Sequence, residues 1–301
     1  MPKGVSSSCR PVPKWGWNMA ESPRIYIGNQ TAFFAAPLQP FAFAVEQGFD
    51  AFEFFPDGSA EGPSWATADV PPELCAFIRE QAERRDIRLS VHASLTADPM
   101  TVPGLRVLAR DVAFARDIGA QVVNLHLAPV DPEVFGRAVL FLAAPLQAVG
   151  LQLSLENTIA TAPEDINALF DRLRARDRAR ARSIGVCLDI GHANLYQGTR
   201  NDYLGYLDRL SAHVTIVHVH VHENRGEHDS HMTLFTGPAG ENPLGVEGLV
   251  QRLVARGYTG SIIFEQWPRP SSLLVTARNR LRAIIEVAQS GKDNGAPAIP
   301  R

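Results

Sequence analysis

Residues that can hold a metal or move a proton recur at one kind of place in this sequence, the end of a short apolar run. IRLSVHA ends at His92 and AQVVNLHL at His126. LQLSLENT carries Glu156, and SIGVCLDIGH carries Asp189 and His192. VTIVHVHVHE supplies His218, His220, His222 and Glu223, and GSIIFEQW supplies Glu265 and Trp267. Just beyond the seventh run, GEHDSH adds Asp229 and His231. A single imidazole or carboxylate in such a place is usually a satisfied polar residue. Several buried carboxylates brought together would repel one another or stay unsatisfied. A cation answers both costs. Carboxylates and imidazoles without thiolates suit Zn, Mn, Co, Fe or Mg, and the acidic share leans towards Mn or Zn.

The elements that must position these groups are eight β-type runs, near 24–30, 49–55, 87–93, 120–127, 151–158, 183–191, 214–222 and 260–267. They alternate with stretches of helical period such as PPELCAFIREQAERRD and VEGLVQRLVARGY. Eight βα units predict a parallel sheet closed into a single (β/α)8 TIM barrel of the α/β class. The alternative is a doubly wound open sheet, but no GxGxxG follows the first run. Gly48, Gly119, Gly150, Gly257 and Gly260 precede strands and are expected to be left-handed helix caps. In a barrel, active sites form at the C-terminal ends of the strands, which is where these groups fall. His218, His220 and His222 alternate and so share one face of their strand.

The barrel is expected over 23–291, with flexible tails at 1–22 and 292–301 and Met19 a candidate natural start. The segment before Met19 has no apolar signal-type core. No apolar run approaches the length of a membrane span. Three widely spaced cysteines, Cys9, Cys75 and Cys187, give no disulfide framework and suit a reducing, cytoplasmic compartment. With 29 basic and 32 acidic residues the net charge is −3, which provides no global field to attract nucleic acid. Aromatic residues gather near the expected mouth: Phe33, Phe34, Phe54, Phe55, Trp65 and Trp267. They read either as substrate walls or as packing. Glu53 is open to two readings, a hydrogen bond to a substrate hydroxyl or a partner for a neighbouring Arg.

Taken together, LENT, GVCLDIGHANLY, HVHVHE followed by DSH, and IIFEQ resemble the xylose isomerase-like barrel superfamily over roughly 24–289. That superfamily contains sugar phosphate isomerases and epimerases and also endonuclease IV. The resemblance implies a metal core of Glu156, Asp189, His220 and Glu265. His220 is chosen because it stands three residues before Glu223. In ketose epimerases the two glutamates of such a core also act as acid and base, so Glu156 and Glu265 are the implied catalytic pair. His222, Glu223 and Trp267 are then the implied substrate-side residues. The nine zinc ligands of endonuclease IV have counterparts in His92, His126, Glu156, Asp189, His192, His220, Asp229, His231 and Glu265. The five outside the core are thus candidates for additional metal or substrate contacts. Against that likeness, the loop after the first strand reads NQTAFFAAPLQP rather than a Gly-Gly loop. Leu95 replaces an aromatic residue, and MTLFTGPAGENP replaces a short Gly-Glu-Gly segment.

Three functions follow. The first is a metal-dependent isomerase or epimerase of a sugar, sugar phosphate or related polyol, by proton transfer next to a metal-polarised carbonyl. The second is a zinc-dependent phosphodiesterase or abasic-site endonuclease. The third is a non-catalytic sugar-binding barrel. A small carbohydrate is the expected partner of the first. Barrels of this kind often pair, so a homodimer is an expectation.

Overall fold

The computed structural model describes residues 24–32, 35–36, 38–57, 65–128 and 130–293, with side chains through residue 291. The expected tail at 1–22 lies outside the described residues, as do Phe33, Phe34 and 294–301. Eight parallel strands close in sequence order: β1 (Tyr26–Gln30), β2 (Ala51–Phe54), β3 (Arg88–His92), β4 (Val122–His126), β5 (Gln152–Glu156), β6 (Ile184–Asp189), β7 (Ile216–Val221) and β8 (Ser261–Phe264), with β8 paired back to β1. Helices cover the outside between the strands, and the last of them runs Ser272–Asp293, two residues past the expected end of the barrel. Among the described residues no helix is long and apolar enough to cross a membrane.

The period of two along each strand divides the core. Val91, Val123, Leu125, Leu153, Leu155, Val186, Leu188, Val219, Val221, Ile262 and Phe264 are buried under the helices. The alternate residues fill the barrel's interior and, Cys187 and Ile263 among the exceptions, many are polar: Glu53, Ser90, His92, Asn124, Ser154, Glu156, Asp189, His218 and His220, all buried. An interior layer of barrel strands is ordinarily branched aliphatic. Here that room is given to groups that must be satisfied by one another or by a ligand.

Register puts these groups at matched heights. His126 pairs with Glu156, and Asp189 with His220. The β6–β7 pairing shifts between Val186 and Cys187, so that Val186 pairs with Ile216 but Cys187 with His218. This irregularity takes up one residue, Val217, and turns His218, His220 and His222 inwards together. Gly48, Gly119, Gly150 and Gly257 do have positive φ, as expected of caps. Gly260 does not. It is small for another reason: a Cβ there would stand 2.3 Å from the Val217 carbonyl oxygen. Asp86, with φ of 53°, takes a left-handed cap that no glycine marks.

Candidate metal centre

At the floor of the barrel mouth two imidazoles hold one carboxylate. Glu53 Oε2 is bonded by His218 Nε2 at 2.8 Å, and Glu53 Oε1 stands 2.8 Å from His220 Nε2. Glu53 is wholly buried. Burial alone would raise its carboxyl, but His220 and His218 outweigh that and hold it well below the usual range. An ionised Glu53 leaves the shared protons on the two Nε2 atoms. His220 therefore turns Nδ1 towards the mouth as its available nitrogen, an arrangement by which carboxylates orient ligand imidazoles. Among the described residues the partners of Glu53 are these two imidazoles rather than an Arg.

Above the floor, His220 Nδ1 lies 3.1 Å from Glu265 Oε1, 3.2 Å from Glu156 Oε2 and 4.0 Å from Asp189 Oδ2. Glu156 is the most crowded of these carboxylates. His92 Nε2 approaches Oε2 at 3.2 Å, and His126 Nε2 and His192 Nδ1 approach Oε1 at 3.4 Å each. Asn124 also donates to Oε2. Burial opposes ionisation of Glu156, yet His220 and His126 hold its carboxyl well below the ordinary value. Asp189 is depressed likewise: burial raises it, and His192 and His222 more than reverse that.

The rim is formed by β6, β7 and the loop beyond. Asp229 Oδ2 is 3.2 Å from both His192 Nε2 and His231 Nε2. His222 Nε2 is 3.2 Å from Asp189 Oδ2. Burial alone would lower His192 and His231. Asp189 and Asp229 push His192 up to about 12, and Asp229 with Glu265 pushes His231 to about 9.

The second nitrogens are anchored. His92 Nδ1 bonds the Ala93 carbonyl at 2.8 Å, His192 Nδ1 the Asn157 carbonyl at 2.9 Å, and His231 Nδ1 the Glu265 carbonyl at 2.9 Å. Asn157 was not singled out from sequence. Its side chain bonds both the N–H and the carbonyl of Asp189 at 2.9 Å, locking the end of β6 to the end of β5. The Asn of LENT was the signal for it.

These residues fit a metal. Donors on an ion with bonds of about 2.1 Å stand roughly 3.0–3.4 Å apart, and the carboxylate–imidazole distances cluster there. His220 Nδ1, Glu156 Oε1 and His222 Nδ1 are buried without a hydrogen-bond partner among the described residues. Several overlapping groups have donors close enough to hold an ion, among them Glu53, His218 and His220; His92, His126 and Glu156; Asp189, His192 and His222; and His222, Asp229 and His231.

Other expected site residues fall elsewhere. Both oxygens of Glu223 are taken by the backbone, accepting from Phe235 N and, at 2.7 Å, from Ala239 N. Glu223 thus holds the loop after β7 rather than facing the mouth. Trp267 is half-buried and packs edge-on against Phe43 at 4.9 Å. Phe54 and Trp65 belong to an aromatic cluster with Phe114. Of the described members of the expected aromatic group, Phe55 alone reaches the centre, its ring tilted against that of His92 at 4.1 Å.

The geometry agrees with what the chain is similar to. An uncharacterized protein of Methanocaldococcus jannaschii, MJ1311, is 24% identical over 244 residues, covering 73% of this chain and 75% of that one. A D-tagatose 3-epimerase-like protein of known structure is 20% identical, with a TM-score of 0.66 over 89% of this chain and 99% of that one. Endonuclease IV from Thermus thermophilus is 23% identical, with a TM-score of 0.60 over 87% of this chain and 99% of that one. The family model for xylose isomerase-like TIM barrels matches residues 41–289. With the closed eight-stranded barrel and its polar mouth, that match makes this chain a member of the xylose isomerase-like TIM barrel family.

Proposed function

We propose that this chain is a divalent-metal-dependent isomerase or epimerase of a sugar, sugar phosphate or related polyol. One observation carries the reading: two buried carboxylates, Glu156 and Glu265, approach one unpartnered imidazole nitrogen, His220 Nδ1, at 3.2 and 3.1 Å. Glu156, Asp189, His220 and Glu265 would hold the ion, with Mn or Zn suiting the donors. When bound, it supplies charge that polarises a substrate carbonyl and stabilises an enediolate. The two glutamates then differ in what they can do. Glu156 is fully buried and crowded by three imidazoles besides His220. Glu265 is the carboxylate nearer solvent, with the fewer contacts. Glu265 is therefore assigned the proton acceptor at the carbon beside the carbonyl, and Glu156 the opposing acid. Phe55 and the walls of the mouth exclude water from the exchanging proton.

The test is solvent exchange. A panel of ketoses and ketose phosphates is incubated in D2O with metal-loaded protein, and deuterium at the carbon next to the carbonyl is followed by NMR. Exchange that vanishes in Glu265→Gln while the metal stays bound supports the assignment. Full exchange in both Glu265→Gln and Glu156→Gln would sink it.

A second reading, phosphodiester hydrolysis, is favoured by the approach of His92 and His126 to the same Glu156 that His220 approaches, which suits a carboxylate shared between two ions. Two-metal sites clamp attacking and leaving oxygens. Cleavage of a duplex bearing an abasic site, steeply weakened by salt, would put this reading first. No cleavage by zinc-saturated protein counts against it.

A further inference from the structure

The two sides of the mouth differ in charge. The loops that follow β1 to β5, at 31–37, 55–71, 93–101, 127–131 and 157–162, contain no Lys, Arg or His. Their charged residues are all acidic, among them Asp57, Asp98 and Asp131. The loops after β6, β7 and β8 carry Arg200, Arg225 and Arg269, in the sector that already holds His192, His222, Asp229 and His231. Helix N-termini are the other common anchor for a phosphate, and on the first side they are spent. The helices after β2 to β5, Pro72–Arg85, Val102–Ile118, Pro132–Ala148 and Pro163–Arg176, each have Pro at one of their first two positions, which removes an N–H. Thr101 accepts from Gly104 N, and Asp131 from Glu133 N and Val134 N. Glu73, Glu133 and Glu164 add negative charge to three of these first turns.

What this side does offer is apolar. Five of the nine large hydrophobic residues exposed among the described residues, Leu95, Val102, Val130, Val134 and Ile159, lie in the loops or first helical turns after β3, β4 and β5. Leu95, Val130 and Ile159 follow His92, His126 and Glu156 by three or four residues. Closed turns present two of them: Ala97 N bonds the Ser94 carbonyl at 2.8 Å around Leu95, and Thr161 N bonds the Thr158 carbonyl at 3.0 Å around Ile159. Leu95 N also donates to Asp57 Oδ2 at 3.0 Å, which ties its loop to the one after β2. Apolar groups exposed together mark a binding surface. Phe55, its ring against His92, extends that surface towards the core.

We propose that the substrate is a phosphate-free keto sugar or polyol whose end remote from the reacting carbon is apolar, a deoxy, alkyl or aryl terminus, and that Leu95, Val130 and Ile159 receive that end. This rests on the reading of the chain as an isomerase or epimerase. A phosphate entering here would give up water and meet acids, with no Lys or Arg of these loops to pair with. An apolar terminus would instead release water from Leu95 and Ile159. The same loops make a poor seat for a nucleic-acid backbone, which is held through Lys and Arg.

The experiment uses metal-loaded full-length protein and matched sets of a ketohexose, its 6-deoxy analogue and its 6-phosphate. Deuterium exchange gives kcat/KM, and calorimetry on Glu265→Gln gives Kd. The order expected is 6-deoxy, parent, 6-phosphate, with each step about tenfold in kcat/KM. Leu95→Ser and Ile159→Ser should erase the preference for the 6-deoxy sugar. A 6-phosphate that is bound or exchanged as well as its parent would overturn the proposal, as would a 6-deoxy sugar no better than its parent. So would a dimer, seen by light scattering, that the two Ser variants dissolve while the preference stays, because the patch would then be an interface between copies. Binding in the expected order without exchange would uphold the apolar seat and overturn the isomerase reading. No binding of any of these sugars would overturn both.

Discussion

The floor and the rim of the mouth are built from the same residue types but spaced differently. At the floor, His218 and His220 meet Glu53 at 2.8 Å, hydrogen-bond distance, and all three are buried. At the rim, His192, His222 and His231 stand 3.2–3.6 Å from Asp229, whose side chain is 32% exposed. The floor is closed and wholly buried, whereas the rim gathers its imidazoles at longer range around a carboxylate that solvent reaches. Three alternating histidines, two on β7 and one just past its end, thus divide by depth: His218 meets Glu53, His220 has one nitrogen in each region, and His222 stands at the rim.

The largest effect should come from breaking the floor. Glu53→Ala leaves His218 and His220 without their carboxylate, and removing one partner of a buried pair costs about 3–5 kcal/mol. Urea unfolding of metal-free protein measures it, and a loss within error of zero would mean the clamp is not rigid. Glu53→Gln keeps the volume but loses the charge that fixes the proton on His220 Nε2. Metal affinity should fall about 10–100-fold, as for other outer partners of ligand histidines. A competition titration reads this, and unchanged affinity would detach Glu53 from the site.

The rim should answer to pH. In metal-free protein His192 and His231, raised to about 12 and about 9, hold protons at neutral pH. Those protons must leave before either nitrogen can bind an ion, so affinity rises with pH and weakens as pH falls. The slope is about tenfold per pH unit for each proton released, and calorimetry in buffers of different ionisation enthalpy counts the protons. Zero release would mean that these nitrogens do not ligate. The smallest effect is expected far from the mouth. Arg252 pairs with Asp208 on the surface, at 2.7 Å. Arg252→Ala should cost at most about 1 kcal/mol and leave metal uptake alone. A change in uptake would show that surface ion pairs reach the site.

The barrel was legible because its signals are local. Each strand is a short apolar run with period two, and the candidate site residues stand at or just past the end of one, with Asp229 and His231 in the loop after the seventh. On strand seven the resemblance pointed to His220 through Glu223, three residues on. What could not be read were pairings across the barrel. Glu53 and His218 are 165 residues apart, and nothing near either one names the other. Glu223 looked like a substrate contact because it follows the histidines, but its partners are backbone amides, which nearly every residue type supplies. Gly260 looked like a cap because it precedes a strand, whereas the approach of the Val217 carbonyl from the neighbouring strand explains it. For His222 only its depth along the run could be read, not that Asp229 and His231 would stand beside it.

Metal content per chain, by elemental mass spectrometry on protein purified without chelator, tests the central claim most directly when wild type is set beside Asp189→Ala. The expected result is at least about one divalent ion per wild-type chain, with a clear loss in Asp189→Ala at unchanged helix content. A wild type free of bound metal, or a variant that retains it in full, would contradict a metal centre at the mouth of this barrel.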